Sequence, residues 1–188
     1  FYRGNGRAWR GNCVMPDPLN GRGRALDIGC GSGKSTSTLI DMGYEVSGTD
    51  ISCEAVSICT DRFGSGMFLE GSVLSLPYPD SSFDYAVAVH VLEHITDDDM
   101  QRAVSEIRRI LKPGGYLFIR DFAPGDMREG SRADSDIVYI HRSPEDILAF
   151  FDGFSAVSCE TVESRTRFGS VRCRAELLLR ENDKNPGQ

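Results

Sequence analysis

From Arg24 onward, short apolar runs with strand-like patterning alternate with longer stretches whose apolar residues recur at helical spacing. Arg24-Ala25-Leu26-Asp27-Ile28 predicts a first strand that ends in glycines. Lys34 to Met42 predicts a helix with Leu39, Ile40 and Met42 turned inward and Gly43 as its stop. A second strand, Glu45 to Thr49, ends on Asp50, and Ser52 is placed to cap a helix carrying Ala55, Val56, Ile58 and Cys59 on its buried side. Met67-Phe68-Leu69 is a third strand. Leu76 to Ser82, with two prolines and short polar residues, is a loop. Tyr85 to Val89 is almost wholly apolar, as a parallel strand covered on both faces requires.

Met100 to Leu111 predicts an amphipathic helix that buries Ala103, Val104, Ile107, Ile110 and Leu111, with Arg102, Glu106 and Arg109 directed outward. Lys112-Pro113-Gly114-Gly115 ends it, and Tyr116 to Ile119 is a further buried strand. A helix from Ser143 to Phe151 follows. Phe154–Glu163 and Val171–Arg180, joined around Phe168-Gly169-Ser170, then form an antiparallel hairpin at a sheet edge. The order of elements predicts an α/β fold, a doubly wound and mostly parallel sheet in one domain. Residues 1–20 stand apart as an N-terminal lid or recognition segment, residues 21–181 as the domain, and residues 182–188 as a frayed tail.

Composition narrows the functional classes. The chain has 188 residues, 40% hydrophobic and 26% charged, the balance of a globular domain. No run approaches a membrane span, and the first ten residues, polar and basic, contain no signal-peptide core. The formal charge of -7 disfavours broad affinity for nucleic acid or an anionic membrane. Six cysteines form no Cys-x-x-Cys pair and have no histidine at zinc-ligand spacing, which reads as reduced thiols in a cytoplasmic setting and no metal.

Gly29, Gly31 and Gly33 lie between a strand and a helix, where a backbone without Cβ atoms can turn sharply and lie against a ligand. Asp50 ends the adjacent strand at the same rim and can accept both hydroxyls of a ribose. Together they favour a nucleoside-containing cofactor. A dinucleotide loop is Gly-x-Gly-x-x-Gly; this one is Gly-x-Gly-x-Gly with Asp27 two residues ahead of it. A carboxylate there suits an ammonium group and not a pyrophosphate, which points to S-adenosylmethionine. A phosphate-binding Gly-x-x-x-x-Gly-Lys-Ser loop would need glycine where Ile28 stands.

These residues resemble the class I S-adenosylmethionine-dependent methyltransferases, in their small methyltransferase-domain (type 11-like) group. The motifs, in order, are Leu26 to Gly33, Gly48 to Ser52, Leu76 to Asp84, Val91 to Ile95 and Leu111 to Gly115. The resemblance implies a Rossmann-like seven-stranded sheet with its last strand inserted antiparallel. It implies cofactor contacts from Asp27, Gly29, Cys30, Gly31 and Gly33, ribose contacts from Asp50, and packing of Ile51 and Val73 on the adenine, with S-adenosylhomocysteine as product. The family's acidic contact to the adenine edge is replaced by Ser72.

His90 ends the fourth strand at the rim where the sulfonium would lie, and can contact the cofactor, act as a base or orient an acceptor. Glu93 and His94 read as parts of a recurrent turn. Asp97, Asp98 and Asp99 read as a helix cap, not a metal site. Recognition of the acceptor is expected from Trp9, from Arg128 and Tyr139 of the Phe122–Tyr139 loop, and from His141 and Arg142 just beyond it. The expected acceptor is a small molecule. The alternatives are an RNA such as tRNA, given the basic Arg165, Arg167, Arg172 and Arg174, or a binding module without turnover.

Overall fold

The computed structural model describes residues 13–64, 67–129 and 138–182. The strands are β1 (Arg24–Ile28), β2 (Glu45–Asp50), β3 (Phe68–Glu70), β4 (Phe83–Val89), β5 (Leu111–Phe122), β6 (Phe154–Arg165) and β7 (Val171–Glu181). The helices are α1 (Lys34–Met42), α2 (Cys53–Phe63), α3 (Asp97–Ile110) and α4 (Pro144–Leu148), with a 3-10 turn at Leu92–His94. One seven-stranded sheet runs β3-β2-β1-β4-β5-β7-β6. Strands β1 to β5 are parallel, and β7 runs antiparallel between β5 and β6, so the expected hairpin forms with its second strand inserted.

From β1 the chain steps outward through β2 to β3 and then returns to β4 on the other side of β1. The order therefore reverses between β1 and β4, which opens a crevice at their carboxyl ends. Ile28 lies opposite Ala88 in that pair, so the Gly29 turn and His90 leave the sheet side by side.

The alternation of strand residues sorts the core onto two faces. Leu26, Ile28, Ala86 and Ala88 pack with Ala103, Ile107 and Ile110 of α3 and Ile147 of α4. Ala25, Tyr85, Val87 and Phe118 pack with Leu39 of α1 and with Cys13 and Met15. Residues 13–20 of the expected lid segment are thus partly built into the sheet's second face. Tyr85 donates from its hydroxyl to the Pro16 carbonyl at 3.0 Å, and Tyr44 to the Asp17 carboxylate at 2.6 Å. Trp9 lies outside the described residues.

Several sequence expectations shift. In α1 the buried residues are Ser35, Thr36 and Leu39, whereas Ile40 is exposed, because one helical step of 100° carries it off the inner stripe. Helix α3 begins at Asp97, three residues early, and its cap is Thr96, whose hydroxyl accepts from the Asp99 N–H; the three aspartates occupy the first turn. Glu106 and Arg109 are not turned to solvent but hold the 76–80 loop. Strand β5 extends back through the Lys112–Gly115 turn, where Lys112 Nζ donates to both Asp84 oxygens at 2.8 Å. Helix α4 closes after Leu148, and Asn182, placed in the tail, hydrogen-bonds Gly153 and Ser155. No described helix is long and apolar enough to cross a membrane.

Candidate active site

The glycine turn is pinned from both sides. Gly29 and Cys30 donate their N–H groups to the Thr49 carbonyl at 2.7 and 2.9 Å. Gly31 donates to Asp50 Oδ2 and Ser52 to Asp50 Oδ1, both at 2.9 Å. Asp50 thus joins the turn after β1 to the cap of α2, with further lone pairs left on each oxygen. At Gly33, with φ of 82°, an added Cβ would lie 2.3 Å from the Phe63 ring. At Gly29, φ 70°, it would lie 2.5 Å from Val91. Both positions require glycine for conformation and for space.

Asp27 is buried beneath this turn, 1% exposed, and accepts from the Thr36 hydroxyl at 2.6 Å. Burial pushes its carboxyl up to about 7, with the charge of Asp50 adding to the effect and the Thr36 hydrogen bonds opposing it. Such a group gains from a cation. Cys30 is buried against Cys59, and the hydrogen bond between them together with burial holds the Cys30 thiol protonated. All six cysteines are free thiols.

Gly71 donates to the Asp50 carbonyl at 3.0 Å, which brings the end of β3 beside the end of β2. Ile51 stands 75% exposed at that corner, Val73 is buried, and Ser72 Oγ accepts from the Leu74 N–H at 3.1 Å, leaving its own proton to donate. Asp27, Gly29, Cys30, Gly31, Gly33, Asp50, Ile51, Ser72 and Val73 are therefore gathered along the ends of β1, β2 and β3. An adenosine bearing an ammonium group fits this set: a buried carboxylate for the cation, a backbone cradle, acceptors for a ribose and an exposed aliphatic side chain for a base.

The far side of the crevice holds all three histidines of the chain. His90 has a φ of 61°, a left-handed backbone unusual for a side-chain-bearing residue, and its N–H donates to the Arg120 carbonyl at 2.7 Å. Its Nδ1 lies 3.1 Å from Glu93 Oε2, which also accepts from the Phe122 N–H at 2.8 Å. His94 and His141 flank the same point: the His94 ring lies tilted 5.0 Å from that of Tyr139, and the rings of His90, Tyr139 and His141 surround Phe122, with His141 stacked on it. The Arg128 guanidinium lies 4.3 Å from the Phe122 centroid.

Arg142, expected to line the opening, is instead buried. Its guanidinium donates to the carbonyls of Leu92 and Ile95 and to Asp97, so it braces the turn behind His90. Glu93 and His94 do build a turn, yet Glu93 also reaches the site. Asp121 carried no signal of its own in the sequence. It lies 2% exposed at the end of β5, accepts from the Val91 N–H at 3.2 Å, and is held well above the carboxylate range by burial and by the charge of Glu93. Only the adjacency of β4 and β5 reveals it.

The basic hairpin is diluted by acids. Arg174 faces Glu176 at 4.0 Å and donates to Ser164, and Arg172 is half-buried.

The methyltransferase domain family matches residues 26–119. The chain belongs to the class I S-adenosylmethionine-dependent methyltransferases. S-adenosylmethionine is the cofactor of that family, and the residues gathered at the crevice between β1 and β4 could hold it. Among curated relatives, the chain is 36% identical over 115 residues to the O-methyltransferase cnsE of Penicillium expansum, covering 57% of this chain and 41% of that protein. It is 33% identical over 128 residues to the 27-O-demethylrifamycin SV methyltransferase of Amycolatopsis mediterranei, covering 64% and 46%. The methyltransferase chain thus spans less than half the length of these relatives. Among solved structures, a Methanosarcina mazei S-adenosylmethionine-dependent methyltransferase superposes with a TM-score of 0.75 at 23% identity, over 88% of this chain and 95% of that one. The Burkholderia thailandensis 1,6-didemethyltoxoflavin-N1-methyltransferase, with S-adenosylhomocysteine and its acceptor bound, gives 0.66 at 20% identity, over 86% and 72%. Those two likenesses establish the fold.

Proposed function

We propose that this methyltransferase moves a methyl group from S-adenosylmethionine to a hydroxyl-bearing small molecule. The observation that carries the reading is the pairing of buried Asp27 with rim-facing Asp50 across one glycine turn at the β1/β4 crevice. Their hydrogen-bond donors are neutral: the Thr36 hydroxyl for Asp27, and the N–H groups of Gly31 and Ser52 for Asp50.

When bound, the cofactor supplies a methyl group on a positively charged sulfur, open to in-line displacement by an acceptor. Asp27 pairs with the ammonium, Gly29, Cys30, Gly31 and Gly33 lie against the ligand, and Asp50 accepts the ribose hydroxyls. Ile51 and Val73 flank the adenine and Ser72 hydrogen-bonds its edge. His90 meets both cofactor and acceptor, while Arg128, Tyr139 and His141 border the acceptor around Phe122. Two of the relatives, an O-methyltransferase and a 27-O-demethylrifamycin SV methyltransferase, support a hydroxyl oxygen as the attacked atom, and the second supports a small-molecule acceptor. The thiol pattern supports work in a reducing, cytoplasmic setting.

The test is calorimetry with S-adenosylhomocysteine, then turnover of labelled cofactor against a panel of phenols and alcohols. Asp50→Ala is expected to weaken binding by about tenfold or more, the worth of lost charge-assisted hydrogen bonds. Equal binding by parent and variant, or no binding by either, overturns the cofactor site. Binding without any labelled product leaves a module without turnover.

A further inference from the structure

At the acceptor side of the crevice, His90, Glu93 and Asp121 bring a ring nitrogen and two carboxylate oxygens within 4.8 Å of one another. We propose that these three side chains form a site for one divalent cation of the Mn2+ or Zn2+ kind.

Three features of the cluster carry this. First, it is asymmetric in its satisfaction. Glu93 gives Oε2 to the Phe122 N–H and His90, and Asp121 gives Oδ1 to the Val91 N–H, so backbone hydrogen bonds fix both carboxylates. Glu93 Oε1, on a residue 1% exposed, is left buried with no hydrogen-bond partner among the described residues. An oxygen stripped of water and given no donor is costly unless a cation takes it.

Second, the guanidinium that braces this turn gives its hydrogen bonds to other acceptors and acts on Asp121 through its charge. Arg142 spends its donors on Leu92, Ile95 and Asp97. His94 Nε2 comes no nearer than 3.8 Å to Glu93 Oε1.

Third, the backbone at His90 leaves the strand with a positive φ, which sets the ring against Glu93 and Phe122. Its side chain is 36% exposed beside two buried acids, so it is the side from which an ion enters. One imidazole with two carboxylates is a donor set suited to Mn2+, Fe2+ or Zn2+. Three protein ligands leave coordination positions for water or an acceptor hydroxyl, whose proton such an ion makes more acidic. His90 then acts as a ligand. This last consequence rests on the proposed methyl transfer, whereas the site itself does not.

The test uses the ion alone. Chelator-stripped protein is titrated with Mn2+, followed by electron paramagnetic resonance and by thermal melting, with Zn2+ as a second titrant. The expected result is one saturable ion per chain that raises the melting temperature. His90→Ala, folded by circular dichroism, and Glu93→Gln are expected to weaken binding by about 10- to 100-fold. Asp98→Asn, on an exposed aspartate of the α3 first turn, is expected to bind like the parent. No saturable binding of either ion overturns the proposal. So does undiminished binding by His90→Ala, which would leave His90 and Glu93 as a hydrogen-bonded pair alone. Neither outcome touches the cofactor reading, whose readout is binding of S-adenosylhomocysteine.

Discussion

The ammonium-binding role proposed for Asp27 comes at a cost to the fold that carries it. Its carboxyl titrates near 7 in the native state against about 4 in an unfolded chain, so the native state holds the proton longer. The stability associated with that proton is complete below about 4 and is lost as pH rises through about 7. Asp27→Asn removes the titration and keeps an acceptor for the Thr36 hydroxyl. The variant is expected to melt higher than the parent at pH 8, to differ little at pH 4, and to lose affinity for S-adenosylhomocysteine; paired melting and calorimetry at each pH check this. In the parent, cofactor affinity is expected to climb as pH passes about 7, with proton release on binding below it. It should fall again once the ligand's own α-amino group deprotonates near about 8.

The elements around the crevice are held by side chains that reach between them. Arg109 on α3 donates to the carbonyls of Leu76 and Tyr78, to Asp80 and to Glu106, while Glu106 accepts from the Leu76 N–H. The hydrogen bond from Arg109 keeps the Glu106 carboxyl below its usual range. This pair fastens the proline loop that succeeds the Ser72–Ser75 turn. Arg109→Met is expected to destabilise the fold by about 2 kcal/mol, discounted for its partial exposure, as read from urea unfolding midpoints. Stability in the parent should drop as acid protonates Glu106, and the variant should show less of that drop. The outward-pointing face assigned to α3 from its periodicity is therefore half right. A 3.6-residue period separates core from non-core, and it cannot say that a polar residue will meet a loop arriving from about 30 positions away.

For the whole molecule, surface charge bears on what the methyltransferase can meet. The arginines of the β6–β7 hairpin lie among Glu160, Glu163 and Glu176, strand neighbours in the same pairing register. A net charge of -7 with this interleaving predicts no saturable tRNA binding at physiological salt, measurable by filter binding. Tight binding that weakens steeply with added salt would restore an RNA acceptor.

Local chemistry was enough to read much of this protein from its residues in order. Strand β1, the glycine turn, the Ser52 cap and the sequence of parallel strands follow from propensity, period and backbone freedom, which act within a few residues. The gathering of residues at the end proposed for the cofactor was legible for the same reason: Asp27 and the glycines are contiguous, and Asp50 ends the next strand. The acceptor end was not. Asp121 meets Glu93 from a distant strand, Arg142 turns inward to the carbonyls of Leu92 and Ile95, and His141 reaches the Phe122 ring, because β5 lies against β4 and residues 138–142 return over the 91–95 turn. Those contacts depend on strand order and chain return, which only tertiary packing decides.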